Sequence, residues 1–169
     1  MAQQIPGPFD QELLDDLPYD PEVLLFDQLL EVDRDAGRVR CGWTTRADAP
    51  ITRSQRNHPV RHPPHVSATL MVHATGMLGF IHAYYLLGLR HHEGWIGYGT
   101  HLYKAVFRKL VPPGGIIEAS CWTKRARLGK VRHFVRYGFE FLHENEVCYQ
   151  SEQAAMWMLV GEDAPVELR

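Results

Sequence analysis

Acidic side chains are nearly absent from the middle of this 169-residue chain. Between Asp48 and Glu118 the only carboxylate is Glu93, although the whole chain has 20 aspartates and glutamates. The same stretch contains eight of the ten histidines. A histidine that moves protons in an enzyme usually has a carboxylate partner that orients it. This distribution therefore argues against a conventional histidine–carboxylate pair within the segment.

Cysteine pairs and targeting segments are also missing. The three cysteines are far apart in the sequence and form no CxxC motif, which is typical of buried thiols in a reducing compartment. The first residues lack the basic and apolar regions of a secretory signal. No apolar stretch is expected to reach the roughly 18–20 residues of a membrane span. We therefore expect a cytoplasmic protein without a membrane partner.

The net charge is small but unevenly distributed. Its formal value of −2 argues against a general nucleic-acid binder. Residues 1–35 contain ten acids and one base, whereas residues 104–136 contain nine bases and one acid. The basic segment could meet a phosphate-bearing partner, and the alternative is an ordinary solvated charged face.

The hydrophobic pattern predicts a single domain over residues 1–169. Residues 1–20 are predicted to be an N-terminal arm with a short helix around residues 11–17. Residues 23–32 are predicted to form the first strand, although their leucine content leaves a helix open. Alternation of apolar and polar residues predicts a second strand over residues 38–45. Residues 48–64 contain four prolines and are predicted to form a long, functional loop.

Residues 67–87 are predicted to form one long helix, capped by Ser67. The helix is apolar nearly all round, which is typical of a helix enclosed by protein. Four strand-like runs with short connections follow and predict an antiparallel meander: residues 95–107, 116–126, 131–142 and 147–160. Because only these strands could cover the helix, the expected fold is α+β.

Four segments resemble the β-hydroxyacyl-ACP dehydratases. Residues 58–63 (HPVRHP) have the family's His-x-x-x-His-Pro core, and residues 104–114 (KAVFRKLVPPG) contain its Phe-Arg-x-x-Val-x-Pro-Gly pattern. Residues 24–33 resemble the family's first strand, and residues 124–130 (KRARLGK) its basic hairpin. The resemblance implies a hotdog fold, in which an antiparallel sheet wraps around one long central helix. It also implies a homodimer or a dimer of dimers, with acyl-thioester sites at the subunit interface.

The resemblance places His58, His73 and Ser67 at catalytic positions. His58 corresponds to the loop histidine of the family. His73 stands on the helix where the family has a glutamate or aspartate, and Val66-Ser67 replaces a Pro-Gly pair before the helix. The backbone amides near Ser67 could stabilise an oxyanion, because the N-terminus of a helix favours negative charge.

Three activities remain open for such a site. Thioester hydrolysis needs an oriented water and oxyanion donors, which a histidine and helix amides can supply, and this is the activity we favour. Dehydration or hydration of a 3-hydroxyacyl thioester would use His58 as the base and a protonated His73 as the acid, but two close imidazoles disfavour double protonation. The third alternative is a non-catalytic acyl-binding protein or degenerate homologue.

The expected substrate is an acyl-CoA or an acyl-ACP, so an acyl carrier protein is a possible partner. CoA or phosphopantetheine then enters as part of the substrate, and no separate cofactor is expected. Phosphate-binding candidates are the basic residues of two strand segments: Arg108, Lys109, Lys124, Arg125, Arg127, Lys130 and Arg132.

A metal site is not expected. His58, His62 and His65 are spaced like metal ligands, but the segment lacks the carboxylates that usually support metal-binding histidines.

Overall fold

A computed structural model of the protein describes the backbone of residues 3–161 and the side chains of residues 7–161. The described strands are β1 (Gln3–Gly7), β2 (Gln28–Asp33), β3 (Arg38–Thr44), β4 (Trp95–Phe107), β5 (Ile116–Leu128), β6 (Arg132–His143) and β7 (Glu146–Leu159). The α-helices are α1 (Gln11–Asp16), α2 (Pro50–Arg53) and α3 (Ala68–His82), and α3 continues as a π-helical turn over Ala83–Leu87. Short 3-10 turns occupy Pro21–Val23 and His91–Glu93. The α+β class is confirmed, whereas the assignment of residues 1–169 to one domain stays a prediction.

The strands form one antiparallel sheet in the order β1-β2-β3-β5-β6-β7-β4. The predicted meander holds for β5, β6 and β7 but is wrong for β4, which pairs with β7 at the sheet edge. The connection from β4 to β5 is not a hairpin, because its ends bind other elements: Val66 donates to the Val111 carbonyl and Thr45 to the Gly115 carbonyl. The chain thus crosses the end of the sheet, and β5 pairs with β3.

The long helix α3 packs against one face of the sheet and forms the centre of the core. Ser67 caps it as predicted, since its side chain accepts a hydrogen bond from the Thr69 amide. The π-helical turn ends at Gly88, whose φ of 68° lies in the left-handed region that glycine adopts most easily. The predicted helix is therefore confirmed at both ends.

By length and composition alone, Ala68–Leu87 could cross a membrane. The expectation that the sequence has no such stretch was therefore wrong. A buried core helix passes the same test, and more than half of this stretch is buried in the structure. The cytoplasmic location stays a prediction.

The N-terminal region is more structured than an arm. The predicted short helix is present as α1, and its Leu13 is fully buried in the core. Residues 3–7 form a strand that pairs with β2, which the sequence interpretation missed. The predicted first strand begins late, at Gln28, because Pro21–Val23 is a 3-10 turn and Leu25 has a φ of 67°. A left-handed residue cannot continue a strand.

All three cysteines are free and buried, as expected: Cys41, Cys121 and Cys148. Burial raises the pKa of each thiol. Since the thiolate is the nucleophilic form, covalent cysteine catalysis is not supported.

Candidate active site

A cavity of about 300 Å³ lies where α3 begins, and we call it the loop cavity. Its walls come from residues 21–27, the end of β3, the loop around α2, and Val66 and Leu70 at the start of α3. Leu25, Phe26 and Trp43 make part of the lining apolar. The polar lining residues are Glu22, Asp27, Thr44, Thr45, Arg46 and Thr52. An apolar space with a few polar groups is typical of a small-molecule site.

Thr52 is the polar residue of this cavity that is best able to form a hydrogen bond with a ligand. Its residue is only 5% exposed, and its Oγ1 has no hydrogen-bond partner within the described part of the chain. A buried hydroxyl without a partner costs free energy. A polar atom of a bound molecule would remove that cost.

His73 is half-buried on α3. Its Nε2 lies 2.7 Å from the carbonyl oxygen of Val23. Since a carbonyl only accepts, Nε2 carries the hydrogen and the neutral ring has its lone pair on Nδ1. Leu70, three residues earlier on the same helix face, lines the cavity. His73 is therefore held in one tautomer with a basic nitrogen left over.

Ser67 acts in the cap of α3. Its Oγ accepts from the Thr69 amide at 3.3 Å and lies 2.7 Å from Thr69 Oγ1. Leu70 and Met71 donate their amides to the Ser67 carbonyl. The amides of Thr69, Leu70 and Met71 are therefore bonded to Ser67. The Ala68 amide takes no part in these bonds.

His58 lies in a tight turn of the loop. Its backbone pairs with His62 in both directions, at 2.7 and 3.0 Å. Its Nδ1 accepts from the Val60 and Arg61 amides at 3.2 and 3.0 Å. The lone pair that a general base needs is thus engaged within the turn. No hydrogen bond or ring contact joins His58 to His73 within residues 7–161.

The other loop histidines do not form a metal site with His58. The rings of His62 and His65 meet edge to face with centroids 5.0 Å apart, and His65 Nδ1 is bonded to the Pro63 carbonyl at 2.9 Å. Among the described residues no group of three or more His, Cys, Asp or Glu side chains could hold a metal ion.

The basic candidates fall into two sets. Arg108, Lys109 and Lys124 are engaged with Gln150, Glu146 and Glu152. The other set lies exposed around the β5–β6 turn and forms no ion pair with residues 3–161; we call it the basic hairpin, and it comprises Arg125, Arg127, Lys130 and Arg132. These side chains are the ones available to a phosphate.

The basic hairpin lies at the far end of the chain's own helix. Thr123, just before the hairpin, is 3.1 Å from His82 at the C-terminal end of α3. His73 and Ser67 lie toward the other end of that helix. A site that uses both His73 and the hairpin would therefore need two copies of the chain.

A second space, which we call the α3 slot, lies between α3, β4 and β7. Its volume is about 70 Å³. Its lining includes glycines from two elements: Gly76 and Gly79 on α3, and Gly97 and Gly99 on β4. Gly76 is exposed and lies three residues beyond His73, on the same face of α3. The slot therefore reaches α3 one helical turn beyond His73, which is not one of its lining residues.

Four polar side chains gather in the interior beside the slot, and we call them the polar cluster: Thr75, Tyr149, Ser151 and Gln153. Gln153 Nε2 donates to Thr75 Oγ1 at 2.7 Å and to Ser151 Oγ at 3.0 Å. The Tyr149 hydroxyl is fully buried. Burial raises its pKa, and hydrogen bonding by the side chains of Ser151, Gln153 and Thr75 opposes that rise.

The sequence interpretation missed the loop cavity and the polar cluster. Tyr149, Ser151 and Gln153 alternate along β7, so they share the face that packs against the helix. Polar residues at three successive core-facing positions were the signal that could have found the cluster. No comparable pattern marks Thr52.

The fold is that of the hotdog proteins. A mutant of a thioesterase from Pseudomonas aeruginosa has a TM-score of 0.60 and 13% identity over 90% of this chain and 96% of its own. The dehydratase heterocomplex ApeI:P from Xenorhabdus doucetiae has a TM-score of 0.56 and 14% identity over 89% and 92%. A putative thioesterase from Ralstonia eutropha, related to phenylacetic acid degradation, has a TM-score of 0.56 and 13% identity over 85% and 95%.

No protein-family model and no curated protein matches the chain. The hotdog architecture that the sequence motifs implied is thus confirmed by structural likeness. At this identity the likeness concerns the fold and assigns no reaction.

Proposed function

We propose that this protein hydrolyses acyl thioesters and that His73 is the general base. The observation that carries the proposal is the bond from His73 Nε2 to the Val23 carbonyl, 2.7 Å long. It fixes the ring so that Nδ1 can take a proton from water, and residues one helical turn on either side, Leu70 and Gly76, line the loop cavity and the α3 slot. A base held in one tautomer and orientation is what general-base catalysis requires.

In this reaction water attacks the thioester carbonyl carbon while His73 Nδ1 takes one of its protons. The developing oxyanion accepts a hydrogen bond from the Ala68 amide at the start of α3. Ala68 and His73 are separated by roughly 8 Å along the helix axis. This is similar to the length needed to place the thioester carbonyl and the attacking water between the Ala68 amide and His73. The carbon–sulfur bond then breaks, and the proton passes from His73 to the thiolate, which gives a carboxylic acid and a free thiol.

The two spaces that meet α3 within one turn of His73 suit the two arms of a thioester. The pantetheine arm contains amide groups that need hydrogen-bond partners, and the loop cavity offers Thr52 Oγ1 and several charged groups. The acyl arm is largely apolar, and the α3 slot is walled mainly by glycines and aromatic rings. We therefore assign the pantetheine arm to the loop cavity and the acyl arm to the slot.

We further propose that the active form is a homodimer that pairs through β4. This 13-residue strand lies at the sheet edge and leaves Leu102, Tyr103 and Phe107 between 46% and 53% exposed. A long edge strand with exposed hydrophobic residues is a template for pairing with another strand. In an antiparallel pairing of two copies, the basic hairpin of the partner lies near the start of α3. It could then bind the phosphates of CoA or of an acyl carrier protein's phosphopantetheine.

The test is an assay of thiol release from a panel of acyl-CoAs. We expect His73→Ala to reduce the rate by about 100-fold or more, which is the usual contribution of a general base. His91→Ala, which removes an exposed histidine beyond the other end of α3, should leave the rate unchanged. Equal rates in His73→Ala and the parent protein would contradict the proposal.

A parallel assay distinguishes the two alternatives. Hydration of crotonyl-CoA that disappears in His58→Ala would establish the dehydratase reaction instead. If acyl-CoA binds but neither reaction occurs, the protein is an acyl-binding module. A carrier-protein partner would show as faster release from acyl-ACP than from the matching acyl-CoA.

A further inference from the structure

A third space, which we call the hairpin pocket, lies beside the β5–β6 turn. Its volume is about 310 Å³, at the lower end of the range for small-molecule sites, roughly 300–1,000 Å³. None of its lining residues belongs to the loop cavity or to the α3 slot. The pocket is therefore a separate candidate for a ligand. Six residues line it: Arg127, Leu128, Gly129, Arg132, Phe134 and Met156.

The hairpin pocket lies on the face of the sheet that α3 does not cover. Phe134 pairs with Arg127 on β5 and with Met156 on β7, and side chains paired directly across strands point to the same face. Val135, the next residue of β6, is fully buried and points to the opposite face, toward the core. Arg132, two residues before Phe134, is again on the outer face. One outer wall thus presents an aromatic ring between two guanidinium groups.

The apolar part of the pocket suits a flat ring. Phe134 and Met156 are only partly buried, and Leu128 is 61% exposed. A nucleotide base stacks on an aromatic side chain, and a guanidinium group stacks on the base or donates hydrogen bonds to its edge. An alkyl chain would cover the ring of Phe134 but would use neither arginine. A base is therefore the better complement of the pocket.

The charge of the hairpin indicates that the bound group also contains phosphate. Residues 119–139 contain six lysines and arginines and no acid. Arg125 stands directly opposite Arg136, where like charges destabilise a sheet. Arg136 and Lys124 share Glu152 of β7, whereas Arg125 has no ion-pair partner among the described residues. A phosphate would neutralise such a cation through charge-assisted hydrogen bonds.

We propose that the hairpin pocket binds the adenine nucleotide end of coenzyme A, with the base on Phe134 and the phosphates on Arg125 and Lys130. The substrate is then an acyl-CoA and not an acyl carrier protein, because phosphopantetheine has no base and would leave the ring of Phe134 uncovered. The proposal rests on the proposed function for the β4 pairing that brings the hairpin of one copy to the start of α3 in the other. It does not require that the thioester be hydrolysed.

The test compares three probes by isothermal titration calorimetry: coenzyme A, adenosine 3′,5′-bisphosphate and 4′-phosphopantetheine. None contains a thioester, so no turnover occurs. We expect coenzyme A to bind most tightly and phosphopantetheine to bind about tenfold more weakly or worse, because the stacking of the base is lost. Phe134→Leu removes the ring but keeps an apolar side chain. It should weaken the binding of coenzyme A and of the bisphosphate about tenfold and leave the binding of phosphopantetheine unchanged.

A second variant and two controls complete the set. Arg127→Gln combined with Arg132→Gln alters only exposed side chains and should weaken the binding of coenzyme A about tenfold or more. Trp122→Leu alters an aromatic residue of β5 that lies on the same outer face but outside the pocket. Arg34→Gln alters an exposed arginine of the β2–β3 turn. Both control variants should keep the affinity of the parent protein.

Equal affinities for coenzyme A and phosphopantetheine would overturn the proposal. It would also be overturned by an unchanged coenzyme A affinity in Phe134→Leu or in the double arginine variant, or by a parent protein that binds no coenzyme A. Equal affinities for coenzyme A and the bisphosphate would overturn the link to the thioester site, because the pantetheine arm would then add nothing. The rate assay is independent of these outcomes. A parent protein that binds coenzyme A through the hairpin pocket but releases no thiol would overturn hydrolysis alone.

Discussion

His82 is a fully buried titratable residue in the core. Its Nε2 is 3.1 Å from the Gly37 carbonyl and 3.1 Å from Thr123 Oγ1, while its Nδ1 has no partner within residues 7–161. Burial lowers the pKa of His82 to about 4, and the bond to Gly37 only partly opposes this. The ring is therefore neutral in the folded protein at neutral pH.

The lowered pKa predicts a loss of stability in mild acid. Below the unfolded pKa of about 6.5 the unfolded chain binds a proton that the folded chain does not bind until about pH 4. The contribution of His82 to the free energy of unfolding is thus fully present above pH 6.5. It falls by roughly 3 kcal/mol by pH 4. Urea unfolding from pH 7 to pH 4 should show a shallower decline in His82→Gln than in the parent protein, and equal slopes would contradict the prediction.

At the scale of elements, the Asp16 carboxylate joins α1 to the turn after α3 through hydrogen bonds. Asp16 is 9% exposed and accepts from the His91 amide at 2.9 Å, the His92 amide at 3.0 Å and the His92 Nδ1 at 2.6 Å. Burial alone would raise the pKa of Asp16. The hydrogen bonds outweigh it and lower the pKa. The short helix is thus a fixed part of the domain.

Removal of this carboxylate should destabilise the protein. Asp16→Ala leaves two amides near the core without their acceptor, and we expect a loss of roughly 2 kcal/mol in the free energy of unfolding. Thermal unfolding gives the readout, with Asp15→Ala as the control, because Asp15 is exposed and its only hydrogen bond within residues 7–161 comes from Gln11 on its own helix. An equal melting temperature for both variants would show that α1 is not held through Asp16.

For the whole molecule, the open edge of β4 predicts the state of assembly. Leu102 is 53% exposed on this edge, and a lysine there would place a desolvated charge in a β4–β4 interface. We expect Leu102→Lys to elute as a monomer and the parent protein as a dimer or larger assembly, measured by size-exclusion chromatography with light scattering. Leu128→Lys alters a leucine at the end of β5 that is 61% exposed and should leave the assembly unchanged. A dimeric Leu102→Lys would exclude pairing through this edge.

The basic hairpin gives a second prediction at this scale. If Arg125, Arg127 and Lys130 of one copy bind the phosphates of a substrate held by the other, glutamates at these positions should raise the KM for acyl-CoA tenfold or more with little effect on kcat. The effect should shrink as salt is added, because the contacts are exposed. Glutamate substitution of Lys109, which already pairs with Glu146, should raise the KM far less. An unchanged KM in the hairpin variant would remove the hairpin from the site.

Most helices and strands could be predicted from local patterns in the sequence. Apolar periodicity and the Ser67 cap gave the bounds of α3, and turn residues gave β5, β6 and β7, because these features depend on neighbours in the sequence. Leu25 with its left-handed backbone and the pairing of β4 with β7 could not be read in this way. Both depend on contacts between segments that are distant along the chain.

The sequence by itself determined that this chain has an α+β hotdog fold around one apolar helix, and its resemblance to the dehydratases pointed to His73 as a candidate. Composition and periodicity reflect the burial of apolar surface. That burial is favourable whichever segment covers the surface, so it can be predicted without knowing the partners. Only the tertiary structure decided which groups are free to react. It engaged the lone pair of His58 in a turn and oriented His73 against the Val23 carbonyl. It also left the Thr52 hydroxyl, in the wall of the loop cavity, without a partner among the described residues. Hydrogen bonds depend on direction and distance between specific atoms, and those are set when distant segments pack together.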